Sequence, residues 1–463
     1  MHARPQTFHV VAIGCKVSQY EAQALGAYLQ HQLGLRPVPR PDEADVVVLQ
    51  TCTVTHQSDR EARKLVRRLK RDGHARVIVT GCYAQRAPAE LQEAGADLVL
   101  GHGVRHRTWH IRRFLFEEDL PPPDLPEWAE AFGPPALRED RTRAYLKVHD
   151  GCDVFCSFCI IPHVRGPARS LPPDEVLHRV EALVEQGIRE IILTGVNLAG
   201  YGRDLGLTDG LLRLCERLDG VTADVQFRLS SLGAYDLDER LFELVCASSR
   251  FAPHFHLPLQ SASDRVLQDM RRPYRLRDYD RIVRFIADRG DHICIGTDVI
   301  VGFPTESNTD FEATYRYIEE SPISYVHVFS YSPRPGTLSA SLWRDLDPRV
   351  VEDRSHRLRT LSAQKREQFY RRQVGRWLKA LTLHRSRDGR SLRAITANYI
   401  EFDLDDPDGR WSENAWIFVR LGAYELGRWV VADVRPCPLM NGLLKAPESS
   451  PSPGQEPGSG LSF

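Results

Sequence analysis

The sequence predicts an α/β protein made of an N-terminal parallel-sheet α/β domain, an open partial TIM-like (β/α)6 barrel and a small C-terminal β-barrel. Three patterns lead to this prediction. From Phe8 to Gly101 short apolar runs alternate with amphipathic helical stretches, the mark of repeated βα units and so of parallel strands. Strand-like runs recur six times between Arg143 and Phe329, most of them followed by a loop and a helical pattern. From about Val374 the apolar runs become short and alternating, as in a small antiparallel barrel. At 463 residues the chain exceeds a single hydrophobic core, so two or three domains are expected.

Residues 6–116 form the first expected domain. Phe8–Gly14, Val46–Gln50, Val77–Gly81 and Leu98–Gly101 read as buried strands, and Glu21–Leu33 and Asp59–Arg71 as amphipathic helices. Cys15, Cys52 and Cys82 each come directly after a different strand. The ligand crevice of an open α/β sheet lies at the carboxyl ends of its strands, so the three cysteines should converge into a three-thiolate site. The alternative is three unrelated buried thiols. Residues 117–140, with Pro121–Pro123 and Gly133-Pro-Pro, lack periodicity and read as a proline-stiffened linker.

Residues 141–373 carry the barrel, with strands at Ala144–Val148, Ile191–Thr194, Val225–Leu229, His254–Leu259, Ile293–Ile300 and Tyr325–Phe329. Helical patterns include Asp174–Gln186 and Asp310–Ser321, and a longer one runs from Pro348 to about Arg376 with Asp347 as its N-cap. The first strand leads into Cys152-Asp-Val-Phe-Cys156-Ser-Phe-Cys159, where a barrel of this kind keeps its chemistry. Three thiolates hold three irons of a [4Fe–4S] cluster and leave the fourth open to a small molecule such as S-adenosylmethionine (SAM). Phe155 and Phe158 would shield such a cluster from water. A zinc site or reduced structural thiols are the alternatives, but no second Cys-x2-Cys or Cys/His pair lies nearby to close a zinc site. Other strand ends offer Gly195, Asn197, Gln260, Asp298 and Gly302 for SAM: the glycines for close backbone approach, the polar side chains for hydrogen bonds. Capping or interior polar contacts would explain the same side chains.

Residues 374–445 should form the small β-barrel, and 446–463 a disordered tail rich in Ser, Pro and Gly. Lys379, Arg385, Arg387, Arg390, Arg393 and Arg410, with Tyr399, Trp411 and Trp416, offer the cationic and stacking groups that RNA-binding barrels use, a purely structural cap being the alternative. Two further basic runs stand out. One is Arg60, Arg63, Lys64, Arg67, Arg68, Lys70 and Arg71; the other is Arg354, Arg357, Arg359, Lys365, Arg366, Arg371, Arg372 and Arg376. Solvated helix faces are the plain reading of both. Net charge is −1, and 42% hydrophobic with 27% charged residues is ordinary for a soluble chain. With no apolar run approaching a membrane span and no hydrophobic leader after Met1, a cytoplasmic protein is expected. Ten cysteines are too sparse for a disulfide scaffold; Cys215, Cys246, Cys294 and Cys437 read as packed thiols.

The Cys152 loop and its flanks resemble the radical-SAM superfamily. The wider set is similar to the methylthiotransferases: Gly14-Cys15-Lys16-Val17-Ser18-Gln19-Tyr20-Glu21, Thr51-Cys52-Thr53-Val54-Thr55, Gly81-Cys82-Tyr83-Ala84-Gln85, Gly151-Cys152 through Pro162, and Arg165-Gly166. His256-Leu-Pro-Leu-Gln260-Ser261, Asp298-Val-Ile-Val-Gly-Phe-Pro304 and Phe329-Ser330-Tyr331-Ser332 belong to it too, and Thr396-Ala-Asn-Tyr-Ile400 resembles part of a TRAM motif. The resemblance implies an N-terminal cluster domain, a radical-SAM core and a TRAM-like RNA-binding domain. The motifs at Gly14–Glu21 and Gly81–Gln85 look most like the branch acting on N6-threonylcarbamoyladenosine next to the tRNA anticodon. Ser18, Gly233-Ala234-Tyr235 and Pro167-Ala168 depart from the family pattern.

What the resemblance implies is a radical-SAM transferase that inserts a methylthio group at C2 of that nucleoside with SAM and two [4Fe–4S] clusters. Cys152, Cys156 and Cys159 would hold the SAM-cleaving cluster, and Cys15, Cys52 and Cys82 a second that carries sulfur, which accepts a methyl group from another SAM before delivery. tRNA, an external one-electron reductant and a sulfur donor are the implied partners, with no membrane. The alternatives are isopentenyladenosine in tRNA, an aspartate of a ribosomal protein, or an iron–sulfur RNA-binding protein without catalysis.

Overall fold

The computed structural model describes residues 4–437 apart from 74, 119–120, 125, 134–141, 236, 343–345 and 426; the expected tail, 446–463, lies outside the described residues. The N-terminal elements are β1 (Thr7–Ala12), α1 (Lys16–His31), β2 (Arg36–Pro37), β3 (Val46–Thr51), α2 (His56–Asp72), β4 (Arg76–Gly81), α3 (Cys82–Arg86), α4 (Pro88–Glu93), β5 (Leu98–Leu100) and α5 (Arg107–Phe116). Their sheet is parallel throughout, in the order β2-β1-β3-β4-β5. β3 lies at its centre and is buried along its whole length, because its residues alternate between two cores. Val46 and Val48 pack with Leu29, Ile111 and Leu115 on one face, while Val47 and Leu49 pack with Ala62, Val66 and Leu69 on the other. Helix α2 begins where Thr55 Oγ1 accepts the Ser58 N–H.

The expected linker is not structureless. It carries a short helix, α6 (Glu127–Phe132), whose Phe132 is buried and whose carbonyl accepts the Tyr20 hydroxyl at 3.0 Å. The sequence gives no periodicity there because one turn and a half is too short to show it.

Next come β6 (Arg143–Asp150), α7 (Ile161–Arg165), β7 (Arg169–Ser170), α8 (Pro173–Glu185), β8 (Glu190–Gly195), α9 (Gly210–Asp219), β9 (Gln226–Leu229), α10 (Glu239–Ala247) and β10 (His254–His256). They are followed by α11 (Asp264–Asp269), α12 (Leu276–Ala287), β11 (Cys294–Val301), α13 (Asn308–Glu320) and β12 (Tyr325–Ser330). β6, β8 and β9 are parallel, with β7 antiparallel at the edge, and β10, β11 and β12 form a second parallel set. Single bridges from Phe227 to Phe251 and from Ser231 to His256 join the two sets into one open six-stranded barrel. Alternation decides which side each residue faces: Ala144, Leu146, Val148, Ile191, Leu193, Phe227 and Leu229 enter the apolar layer under the helices. Arg143, Lys147, Glu190, Arg228, His256, Asp298 and His327 fall at the intervening positions and face the interior.

Helix α1 lies against β6 and β8, with Tyr20 packed on Tyr145. A buried ionic network locks this junction. Glu21 takes Lys147 at 2.8 Å and Arg165 at 2.8 and 2.9 Å, and Asp150 takes the same two cations at 3.2 and 2.8 Å. Asp59 and Thr53 similarly receive Arg334 from the far end of the barrel.

Helix α14 (Pro348–Gln373) starts with Asp347 Oδ1 accepting the Arg349 N–H. It leads into the antiparallel strands β13 (Trp377–Arg385), β14 (Ser391–Thr396), β15 (Glu401–Asp405), β16 (Trp416–Glu425) and β17 (Arg428–Pro436), ordered β15-β14-β13-β16-β17. The outer strands β15 and β17 approach one another, so the sheet curls toward a barrel. Between Ala394 and Phe402 the chain spans the end of β14 and the start of β15. It breaks after Thr396 into a turn with Tyr399 at φ +72°, held by Thr396 Oγ1 donating to Asn398 Oδ1 at 2.6 Å and accepting the Ile400 N–H at 2.9 Å. Among the described residues no helix is long and apolar enough to cross a membrane.

Candidate functional site

The Cys152 loop begins at Gly151, whose φ of +69° only glycine adopts without strain. A Cβ there would lie 1.8 Å from the Pro167 carbonyl oxygen. Gly151→Ala should therefore displace the loop and destabilise it by about 1–3 kcal/mol. Iron content and melting temperature of the anaerobically reconstituted protein check this, and wild-type values for both would contradict it. Beyond Gly151 the loop is pinned by Ser157, whose N–H and Oγ donate to the carbonyls of Met270 and Asp269 at 3.0 and 2.7 Å.

The two phenylalanines of the loop divide. Phe158 packs toward Val266, Met270, Phe303 and Tyr331, whereas Phe155 stands at φ +50° and is 51% exposed. Only Phe158 fits the expected shielding role, because the left-handed backbone at Phe155 turns its ring outward. Burial pushes the Cys159 thiol up to about 12, with Cys156 and Cys152 adding to it, and burial raises Cys152 as well. Free thiolates are costly here, and metal ions that take up the charge suit the site. Arg272 Nη1 donates to Cys156 Sγ at 3.2 Å.

Cys15, Cys52 and Cys82 do converge at the carboxyl edge of the N-terminal sheet. The parallel register sets Ala12 opposite Gln50 and Thr51 opposite Gly81, so the residues that follow meet. Gly14, at φ +118°, makes this possible: a Cβ there would lie 2.3 Å from Cys52 Cβ and 3.0 Å from its Sγ. Burial raises the Cys52 thiol, with Cys15 adding to it, and raises the Cys82 thiol against the pull of Arg165. Arg165 Nε donates to Cys82 Sγ at 3.2 Å, and His102 Nε2 lies 3.6 Å from the same sulfur. A soft, desolvated three-sulfur set with a buried cation against it fits an iron–sulfur group.

The two triads are neighbours. Ile160, directly after Cys159, and Val164, one helical turn later, pack on Cys82, and α3 sits against α7.

The SAM candidates are placed unevenly. Gln260, at φ +76°, uses its backbone to bridge Val299, and its side-chain amide has no hydrogen-bond partner among the described residues. Asn197 Oδ1 accepts the Tyr235 hydroxyl at 2.9 Å, and Tyr235 in turn stacks on Tyr274. At Gly195 a Cβ would meet His149, and at Gly302 it would meet Val351, while the Gly302 N–H is engaged by Glu306. Asp298 lies within the barrel, 3.0 Å from His256 Nε2 and 3.4 Å from His327 Nδ1. Burial alone would raise its carboxyl, but these imidazoles outweigh burial and hold it down to about 2. One atom from each of these three residues lies within 4.8 Å of the others, a grouping able to hold a cation or a polar ligand.

Sequence reasoning placed none of several further residues in this interior. Glu190 is buried between Arg143 (2.7 Å) and Arg228 (2.9 Å), which hold its carboxyl down to about 2 against burial. Lys16, the first residue of α1, projects toward the same chamber, where burial first and then Arg228 and Arg143 lower its ammonium to about 8. Tyr399 closes the chamber from the C-terminal sheet, 4.5 Å from the His254 ring and 5.1 Å from the Arg228 guanidinium. The available signal was charged residues at alternate strand positions that should otherwise be apolar.

Tyr399 is therefore not an RNA-stacking ring, and Trp416 is 8% exposed with Lys379 4.0 Å over it. Arg385 and Arg393 are tied to Asp406 and to Glu401 and Asp403, and Arg410 to Asp408, so of the expected arginines the exposed Arg387 and Arg390 remain without an ion pair among the described residues. The basic run on α14 is largely structural: Arg354 binds Glu306, Arg357 binds Glu312, and Lys365 caps the carbonyls of Glu319 and Ser321. On α2, by contrast, Arg60, Lys64, Arg67 and Arg68 are exposed, opposite the buried Ala62, Val66 and Leu69.

The sequence profile of the Radical SAM superfamily matches residues 146–318, and that described as uncharacterized protein family UPF0004 matches residues 7–101. The chain is 38% identical to threonylcarbamoyladenosine tRNA methylthiotransferase MtaB of Aquifex aeolicus, over 84% of this chain and 94% of that protein. The enzyme of the same name from Bacillus subtilis is 37% identical over 78% and 81%. The tRNA-2-methylthio-N(6)-dimethylallyladenosine synthase of Zymomonas mobilis is 32% identical over 80% and 84%. Among solved structures, the radical S-adenosylmethionine methyltransferase TsrM of Kitasatospora setae superposes with a TM-score of 0.56 at 16% identity, over 73% of this chain and 77% of that one, a likeness of fold.

Proposed function

The chain belongs to the radical-SAM methylthiotransferase family, and from that premise we propose that it adds a methylthio group at C2 of N6-threonylcarbamoyladenosine beside the tRNA anticodon. The observation that carries this reading is the pair of cysteine triads packed across one short helix, α7. Cys152, Cys156 and Cys159 would hold one [4Fe–4S] cluster, and Cys15, Cys52 and Cys82 a second. When bound, the two clusters with SAM supply a 5′-deoxyadenosyl radical and a transferable methylthio group.

The chain's own residues position and protect these groups. Arg272 and Arg165 set a positive charge against one sulfur of each triad. Phe158 keeps water from the inner side of the Cys152 loop, and α7 fixes the separation of the triads, so that the base can meet both. Gly195, Asn197, Gln260, Asp298 and Gly302 remain the proposed SAM contacts. Gln260 is the best supported of them, its amide being free among the described residues.

The exposed cations of α2 and the TRAM-like C-terminal sheet suit phosphate contacts with tRNA, which bind without reading sequence. The reaction also needs an external one-electron reductant and a sulfur donor, in the cytoplasm where tRNA is modified. A second reading, action on dimethylallyladenosine, is favoured only by relatives such as the Zymomonas mobilis enzyme. Incubating reconstituted protein with SAM, dithionite, sulfide and tRNA bearing either nucleoside separates the two. Methylthiolation of the threonylcarbamoyl tRNA is expected, and turnover of the dimethylallyl tRNA alone would contradict it.

A further inference from the structure

The inside of the barrel holds one positive charge more than it pairs. Both oxygens of Glu190 are taken by Arg228, and one of them also by Arg143. Asp298 lies between His256 and His327. Lys16 is the partly buried first residue of α1, the helix packed on β6 and β8, and the charges nearest in effect to it, Arg228, Arg143, Asp298 and Glu190, stand on four different strands. Among the described residues its ammonium has no hydrogen-bond or salt-bridge partner. Arg228 Nη1 is buried with none either. Lys16, Arg143 and Arg228 thus face two carboxylates, and a third acid is missing.

The chamber has a floor and a mouth. Tyr399 covers it on the side of Arg228 and His254. On β12 the side chains of His327 and Phe329 are about half exposed, so this is the side on which the chamber meets solvent. His327 sits directly opposite Asp298 in the parallel register of β11 and β12 and shares its side of the sheet.

Resting on the substrate reading above, we propose that this chamber binds the carboxylate carried by the N6 substituent of the base, with Lys16 as its charge partner and His327 as a second donor. A threonylcarbamoyl group brings the missing acid. A dimethylallyl group would instead cover Lys16 with hydrocarbon and leave a desolvated charge unpaired, so the chamber rejects it as well as welcoming the acid. Lys16 directly follows Cys15, and the turn that fixes the Cys15 triad therefore also fixes the N6 anchor. Holding the base by this substituent aims its ring relative to the triad.

The test compares an anticodon stem-loop bearing threonylcarbamoyladenosine with the same stem-loop in which that carboxylate is a methyl ester. Fluorescence anisotropy on the reconstituted full-length protein should show the wild type binding the acid about tenfold or more tighter than the ester. Lys16→Met should bind both within about twofold, with iron content unchanged, and Lys16→Arg should retain most of the preference. His327→Gln, remote in sequence from the cysteines, should lose part of it. In turnover the same preference should appear in kcat/KM, while 5′-deoxyadenosine formation from SAM stays as in the wild type. An undiminished preference in Lys16→Met overturns the proposal. A wild type that modifies only the dimethylallyl tRNA overturns the substrate reading beneath it.

Discussion

Alanine at Cys15, Cys52 and Cys82 together should abolish methylthiolation of tRNA while SAM cleavage continues within about threefold of the wild-type rate. The reasoning is structural. These cysteines hang from the strand ends of the N-terminal sheet, whereas Cys152, Cys156 and Cys159 belong to a loop pinned by Met270, Asp269 and Gly166 of the barrel. Among the described residues neither loop takes a backbone hydrogen bond from the other, so losing one triad leaves the second framework in place. Iron per chain should fall by about half. Full methylthiolation by the triple variant would show that one cluster suffices, and loss of SAM cleavage would show that the triads are not separable.

The second large effect concerns stability. Glu21→Ala should destabilise the protein by about 3–5 kcal/mol, because Lys147 and Arg165, both essentially buried, would keep Asp150 as the one carboxylate between them among the described residues. The melting temperature should drop on the order of 5–10 °C. Arg165 would also lose what aims it at Cys82, so iron retention by the N-terminal triad should weaken. Burial by itself would raise the Glu21 carboxyl, but Arg165 and Lys147 more than reverse it and hold it well below the usual carboxylate range. A carboxyl depressed in the folded state contributes stability at neutral pH and loses it as the pH falls below about 4. The variant's deficit should accordingly shrink under acid. A melting temperature within a degree of wild type at pH 7 would contradict this account of the junction.

Apolar periodicity and the parallel-sheet rule were enough to locate all six barrel strands and to bring Cys15, Cys52 and Cys82 together. Both follow from local pattern plus a general topological constraint. Features set by distant partners stayed hidden. The α14 cations read as a basic face, yet Arg354, Arg357 and Lys365 are consumed by Glu306, Glu312 and the end of α13. Tyr399 read as a stacking ring for RNA; Thr396 and Asn398 make a turn there that sends it toward the barrel. Phe155 read as a shield, and its positive φ turns it outward. Lys16, Arg228 and His327 lay within or near conspicuous motifs, but their common chamber exists only once three sheets are assembled.

The central claim is the chemistry on threonylcarbamoyladenosine, and mass spectrometry of tRNA nucleosides from cells with and without this protein tests it most directly. Selective loss of the 2-methylthio form of N6-threonylcarbamoyladenosine on deletion is the predicted result. An unchanged level of that nucleoside, with methylthiolated isopentenyladenosine or a ribosomal protein losing the group instead, would contradict it.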